Sequence, residues 1–498
     1  MKNDWQKSLK TWEKQPFLKR LFSKYPKAKV YLVGGAVRDA ILGHVTKDYD
    51  FVVAGISKNE LEKFLATQGK VNLVGKHFGV FKFKPKKWVG PLKVASSESS
   101  QDLDIALPRT EHTINQSGAY RDFAVKSDPH LKIEDDLSRR DFTINALAWD
   151  LKENKLIDLF DGLSDLKKGI IRTVGKPNDR FKEDYSRMLR AIRFACQLNF
   201  EIETQAWATI KKNIKQLNKV VENERIVAAE IIAKELVKAI SKNSIWALEL
   251  LDQSGAIKIL FPELLKQKDC PQPKIFHSEG DAWVHMVIAL ETLQSKAFTK
   301  EFKNQPASPE VIWAVLFHDI GKPYTLTMAD RIRFNNHDNY SAKLFEQIAE
   351  RLRLSSAGLD TAKILKLILK HMLTIQSQVV SMKDTTLEKY FFNPLFPGDE
   401  LLMVMFADIS VTIPPSGKPD FTSFNLLKKR IAQLAKAGKN NKVLPKPLIN
   451  GNEIIKKFKL KTSPQIGILL EILREAQLAG KIKNKEQAYK YAKRFIKK

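Results

Sequence analysis

The sequence predicts an α+β fold, on three observations. Residues 29–170 alternate β-prone apolar runs with helical patterns. From Arg180 onward the pattern is almost wholly helical. Proline and glycine punctuate the chain near 266–275 and 412–420, and the character changes near 170, so 498 residues divide into several domains.

The elements follow in order. Residues 1–28 read as an amphipathic basic lead-in helix. Tyr31-Leu32-Val33 is a short strand, Gly34-Gly35 a sharp turn, and residues 36–42 a helix. Glycine lets the backbone approach a ligand closely, and a strand, glycine turn and helix N-terminus make a site for phosphate. A strand follows at 49–53 with Asp48 and Asp50 at its start, on one face. Two carboxylates beside a phosphate cradle suit Mg²⁺ and a nucleoside triphosphate. Next come a helix at 58–68, strands near 71–74 and 79–83, and a solvated loop, ASSESSQ, at 95–101. The strand at 102–107 places Asp102 and Asp104 on one face, and residues 110–133, without a clear period, read as a mobile loop.

Arg139-Arg140-Asp141 precedes an apolar stretch, FTINALA, read as helical. Guanidinium forks match phosphate geometry, so these arginines are candidates to hold a triphosphate or a ribose. DGLSDL at 161–166 reads as a turn. FKEDYSRMLRAIRF at 181–194 reads as one helix, its buried stripe formed by Met188, Leu189, Ile192, Ala195 and Cys196. Asp184, Arg187, Arg190 and Arg193 recur every three residues on the other side. Cytosine and adenine both pair an amino donor with a ring-nitrogen acceptor, whereas uracil and guanine pair an oxygen acceptor with a ring N–H. One accepting Asp184 and one donating Arg187 therefore complement C and A and reject U and G. Arg190 and Arg193 are left for phosphates.

The region from Lys274 holds five of the nine histidines: His277, His285, His318, His337 and His371. His318-Asp319, read as lying inside a helix, with His285 and Asp408 from flanking helices, suits a divalent-metal site. From residue 441 on, 15 Lys and Arg stand against 4 Glu, so the C-terminal segment reads as an RNA-binding tail.

Composition agrees. A net charge of +28 argues for a polyanionic partner, most simply nucleic acid. No apolar run is long enough to span a bilayer, and the N-terminus lacks the continuous apolar stretch of a secretory signal. Two cysteines make no disulfide framework, which points to a reducing cytoplasm.

With these residues in hand, the chain resembles the class II tRNA nucleotidyltransferases, the bacterial CCA-adding enzymes and poly(A) polymerases, in their HD-domain-containing form. The motifs are LVGGAVRD with DYD, DIALPRTE, EDDLSRRDFTINALA, DGLSDL, EDYSRMLRAIRF, ENERIVAAE, FHDIGKP and LINGNEIIKKFKLKTSPQIG. The resemblance implies a polymerase β-like nucleotidyltransferase head with a mixed β-sheet, followed by an all-α neck, HD body and tail. The ranges are 29–170 for the head, 171–265 for the neck, 266–415 for the HD domain and 416–498 for the tRNA-binding tail. Mg²⁺ ligands map onto Asp48 and Asp50, with a third catalytic carboxylate at Asp104 or, as the alternative, Asp102. Nucleotide contacts map onto Gly34, Gly35, Arg38, Arg140, Asp184, Arg187, Arg190 and Arg193. His285, His318, Asp319 and Asp408 form the HD set for a second divalent metal. The implied activity is addition of CCA to tRNA from CTP and ATP, and the loop at 110–133 matches the segment tied to the switch from C to A addition. The alternatives are a poly(A) polymerase or A-adding enzyme, an HD phosphohydrolase acting on 2′,3′-cyclic nucleotides, and a catalytically silent tRNA-binding protein.

Overall fold

The computed structural model describes residues 4–46, 48–74, 80–89, 103–113, 123–221, 223–376, 379–436 and 444–496. They gather into two compact units, Met1–Leu260 and Phe261–Lys498.

The first unit opens on α1 (Asp4–Lys10), a 3-10 turn (Thr11–Lys14) and α2 (Pro16–Lys24), in place of the single lead-in helix expected. Pro16 is the reason: it cannot donate within a helix but suits the first position of a new one. The apolar side of this segment belongs to the core. Trp12 packs edge-on against Tyr49 and Phe51, at 4.7 and 5.0 Å between ring centroids, and Phe17 against Phe83 at 5.3 Å.

Next come β1 (Lys29–Val33), α3 (Gly35–Leu42), β2 (Asp50–Ala54) and α4 (Lys58–Gln68). Then follow β3 (Gly69–Val74), β4 (Val80–Pro85), β5 (Leu103–Ala106), β6 (Arg109–Thr113) and β7 (Phe123–Ser127). α5 (Ile133–Ser138), β8 (Leu147–Asp150) and β9 (Lys155–Asp158) complete the sheet region. Seven strands form one mixed sheet in the order β3-β4-β5-β2-β1-β8-β9. Among the described residues, only its β2–β5 pair runs parallel.

Three expectations are corrected here. The stretch 110–133 is not an irregular loop where it is described: β6 and β7 pair as a hairpin from Arg109 opposite Ser127 to Thr113 opposite Phe123. Its strands are too polar to display an apolar period. FTINALA is a 3-10 turn (Thr143–Asn145) followed by β8, not a helix. All four residues of β8 are buried, so the sequence shows a continuous apolar run and no alternation. DGLSDL carries α6 (Gly162–Lys168), because Asp158 accepts from the first backbone N–H groups, Gly162 at 2.8 Å and Leu163 at 2.9 Å. ASSESSQ and Asp102 lie outside the described residues.

The helix expected over 181–194 divides into α7 (Pro177–Glu183) and α8 (Ser186–Leu198). Asp184 between them is extended, at φ −153° and ψ 106°, and its carboxylate accepts from Ser186 N at 2.8 Å. The predicted stripe of α8 is buried throughout. α9 (Thr204–Asn213) and α10 (Ala229–Lys242) follow, and α10 packs along α8.

Among its described residues the second unit is helical apart from one small hairpin, Leu326–Met328 with Ile332–Phe334. Its helices Ala282–Thr292, Pro309–Phe317, His337–Arg351, Thr361–Lys370 and Gly398–Val411 surround a histidine cluster. Near the C-terminus, Gly451–Phe458, Pro464–Leu478 and Lys485–Ile496 enclose a core of Ile454, Leu469, Leu473 and Ala488. No described helix is long and apolar enough to cross a membrane.

Candidate active site and metal centre

Within the first unit, one cavity of about 910 Å³ collects every nucleotide-binding and catalytic residue assigned there from the sequence. The sheet explains how. β1 ends at Val33 and the chain turns at Gly34, whose φ of +68° is a left-handed conformation that glycine adopts without strain. A β-carbon on Gly34 would lie 2.6 Å from Arg140 Nη1, so the guanidinium rests directly on the turn. Arg140 is held there by Asn145 O at 3.2 Å and by Asp136 Oδ2 at 3.1 Å. Asp136 is buried and also accepts from Arg139 at 2.7 Å. Its carboxyl stays below the usual range because the two arginines outweigh the effect of burial.

Asp50 opens β2, and the parallel register sets it beside Asp104 of β5. Asp48 lies two residues earlier, outside the strand and exposed. Burial raises the Asp50 carboxyl, Arg140 opposes the shift, and Asp104 and Asp48 add to it. Two neighbouring carboxylates that add to the cost of ionising a third, Asp50, mark a place that favours a cation. Lys82, in register opposite Asp104, supplies part of that charge, with Nζ 2.6 Å from Asp104 Oδ1. The oxygen-rich donor set fits a hard divalent ion.

A chain of ion pairs and amides runs along the wall of the cavity. Arg38 Nη1 donates to Asn145 Oδ1 at 2.8 Å, and Asn145 Nδ2 donates to Asp141 Oδ1 at 3.1 Å. Asp141 Oδ2 accepts from Arg190 at 2.8 and 2.5 Å. Glu235 of α10 accepts from Arg193 Nε at 2.5 Å. Burial opposes the Asp141 charge, but Arg190 and Asn145 hold its carboxyl well below the usual range. Arg190 and Arg193 were expected to serve phosphates alone; both line the cavity, yet each is also tied to a buried carboxylate. Asp184 and Arg187 line the same cavity, with Arg187 Nη1 donating to Glu183 Oε2 at 2.6 Å.

Sequence reasoning missed Lys82, Asp136, Asn145 and Glu235, and gave Asp141 no role. Asp136 and Asp141 bracket the arginine pair closely enough for helix-like spacing to have flagged them. Lys82 and Glu235 come from elements distant in sequence and carry no local signal.

In the second unit the predicted set His285, His318, Asp319 and Asp408 converges, with candidate ligand atoms all within 4.8 Å of one another. His318-Asp319 lies at the C-terminal end of the helix Pro309–Phe317, not inside a helix. His285 Nε2 is 3.0 Å from Asp408 Oδ1, and His318 Nε2 is 3.2 Å from Asp319 Oδ2. The remote nitrogens are fixed, His285 Nδ1 by Glu279 at 2.8 Å and His318 Nδ1 by Val315 O at 2.7 Å. Such outer contacts orient imidazoles toward a metal. Burial disfavours charge on His318, but Asp319 and Asp408 outweigh it and hold the ring up at about 10. Neither His318 Nε2 nor either Asp319 oxygen makes a well-formed hydrogen bond, although all three are buried. The cluster therefore wants positive charge, and its N and O donors fit a divalent ion.

Comparison with known proteins identifies the domains and the fold. Residues 30–172 match the Poly A polymerase head domain, 199–268 the probable RNA and SrmB-binding site of polymerase A, and 285–393 the HD domain. The multifunctional CCA protein of Pasteurella multocida is 32% identical over 340 residues, 68% of this chain and 72% of the relative. That of Neisseria gonorrhoeae is 34% identical over the same shares. The fold is similar to that of the Bacillus stearothermophilus CCA-adding enzyme in complex with CTP, at a TM-score of 0.62 and 21% identity, covering 98% of each chain. It is also similar to the Thermotoga maritima CCA-adding enzyme complexed with tRNA, at a TM-score of 0.55 and 22% identity, again covering 98% of each. With the mixed-sheet head, the nucleotide-sized cavity and the HD cluster in one sequence, the chain belongs to the family of the multifunctional CCA proteins.

Proposed function

We propose that this chain adds CCA to the 3′ end of tRNA from CTP and ATP, without a nucleic-acid template, releasing pyrophosphate at each step. The observation that carries the reading is the first unit's cavity. It brings a glycine turn, three carboxylates, Arg140 and the Asp184–Arg187 pair around one space of nucleotide size.

Asp48 and Asp50 would hold Mg²⁺, with Asp104 as the third carboxylate; the ion, when bound, activates the tRNA hydroxyl and offsets charge on the triphosphate. The chain's own residues position the reactants. Gly34 and Gly35 admit the triphosphate against the backbone, and Arg38 and Arg140 offer guanidinium donors to its oxygens. Asp184 accepts from the amino group of cytosine or adenine, while Arg187 donates to the ring nitrogen beside it. Arg190 and Arg193 brace this face through Asp141 and Glu235 and turn their remaining donors to phosphate. Catalysis is then mostly alignment and charge stabilisation, as phosphoryl transfer allows. The net charge of +28 and the basic C-terminal segment support a grip on tRNA. Two buried free cysteines support a reducing cytoplasm as the compartment.

The test supplies tRNA lacking its 3′ end with CTP alone, ATP alone or both. Two C residues from CTP alone and a complete CCA end from both are expected. A long A tail from ATP alone would make the chain a poly(A) polymerase.

A second activity is favoured by the buried cluster of the second unit. His285, His318, Asp319 and Asp408 would hold a divalent metal that supports hydrolysis of phosphate esters. Phosphate release from 2′,3′-cyclic nucleotides should disappear in His318→Ala, and no release with any divalent metal would leave the cluster structural.

A further inference from the structure

The carboxylate row of the first unit's sheet continues into a lysine. Asp50 of β2 stands in register beside Asp104 of β5, and Asp104 stands opposite Lys82 of β4. The side chains of β4 and β5 alternate between two faces. Phe81, Phe83, Leu103 and Ile105 are buried on one, while Lys82 and Asp104 line the cavity with Val80 and Ala106 on the other. An ammonium group is thus built into the same layer as the carboxylates.

The two oxygens of Asp104 meet that ammonium differently. Oδ2 accepts a hydrogen bond from Lys82 Nζ at 2.8 Å. Oδ1 lies 2.6 Å from the same nitrogen, yet it is buried and makes no well-formed hydrogen bond. Oδ2 is committed, and Oδ1 keeps a lone pair to give. A lysine ammonium is a compact charge on a flexible stem, so it can hold one oxygen while the other serves a cation. Hard divalent ions differ in how they use a carboxylate. Mg²⁺ demands near-ideal octahedral geometry, which the narrow bite of both oxygens of one carboxylate spoils. Ca²⁺ gathers more oxygens in a flexible geometry and accepts a carboxylate through both of its oxygens.

We infer that Lys82 is a positioning residue that restricts Asp104 to one-oxygen coordination and thereby selects Mg²⁺ over Ca²⁺ at this centre. The inference rests on the reading of Asp48, Asp50 and Asp104 as the metal site. An ordinary cross-strand ion pair adds a little stability and leaves the choice of ion alone. Here the pair sits on the one carboxylate oxygen that would otherwise complete a two-oxygen grip.

The test measures binding and not turnover. Mn²⁺ is titrated into the full chain, and the free ion is followed by paramagnetic resonance. The portion that Asp50→Ala fails to bind belongs to this site, which sets aside the histidine cluster of the second unit. Mg²⁺ and Ca²⁺ then displace it. In the unaltered chain Mg²⁺ is expected to displace Mn²⁺ at the lower concentration. In Lys82→Met both ions should bind more tightly. The ratio of their affinities should shift toward Ca²⁺ by about 10-fold, the scale on which outer partners tune a metal ligand. Lys82→Arg keeps the charge, but its fork suits both oxygens at once, so both affinities should fall. A side chain that merely braces the strand would leave both affinities of Lys82→Arg where they were. That result, or an unshifted ratio in Lys82→Met, overturns the inference and leaves the metal site standing. So does an unaltered chain that takes Ca²⁺ as readily as Mg²⁺, a comparison that needs no variant at Lys82. If Asp50→Ala binds as much Mn²⁺ as the unaltered chain, the metal site falls and the inference falls with it.

Discussion

Arg140 presses on the backbone of Gly34 so closely that a methyl group on that glycine would come within 2.6 Å of Nη1. Gly34→Ala should therefore displace the guanidinium as well as strain a left-handed backbone. Nucleotide incorporation is expected to fall by about 10²-fold, the usual penalty for misplacing a reacting group by an ångström. Steady-state kinetics with CTP check it. An enzyme within twofold of the unaltered chain would mean that Arg140 makes no contact with the triphosphate.

Asp50→Ala removes the carboxylate that opens β2, in register beside Asp104. Several kcal/mol of charge stabilisation is at stake, so incorporation of both CTP and ATP should drop by about 10³-fold. Binding of tRNA, measured by filter retention, should persist. Retained incorporation would sink the metal assignment.

Base choice is expected to rest on Asp184 and Arg187. A good two-point contact contributes about 1–3 kcal/mol of discrimination, so Asp184→Ala should narrow the preference for CTP over UTP by about 10- to 100-fold. Competition assays with the four triphosphates read this directly. Unchanged rejection of UTP and GTP would count against the pairing argument.

Asp141 ties the nucleotide cavity to protein stability. Its carboxyl is depressed in the folded chain, chiefly by Arg190 acting against burial. A depressed carboxyl contributes stability above its unfolded value of about 3.9, and that contribution is lost as pH falls. Asp141→Asn should thus lower the melting temperature at pH 7 and flatten its fall between about pH 5 and the acid limit. A variant that keeps the full acid dependence would place that sensitivity elsewhere, for instance at Asp136.

Much of this site was legible in the sequence because its parts are local. A strand, two glycines and a helix within a dozen residues declare themselves, and so do DYD and the buried stripe of α8. His285, His318, Asp319 and Asp408 were found by residue type and order alone. What escaped was set by distance or by burial on both faces. Glu235 and Lys82 reach the cavity from elements whose own sequences show nothing unusual. FTINALA misled because a central strand and a buried helix look alike once alternation is gone. The break at Asp184 was hidden because the stripe of α8 is itself continuous; only backbone geometry reveals that the helix starts again at Ser186.

The parallel pair in the sheet, β2 with β5, has a further meaning for how this protein tolerates change. Asp50 and Asp104 are neighbours through interstrand spacing, about 4.8 Å in any sheet, and not through the path that the chain takes between them. That path crosses α4, β3 and β4 before it returns. Residues can be inserted into or trimmed from its connections without altering the distance between the two carboxylates. The chemistry is thereby insulated from variation in loop length.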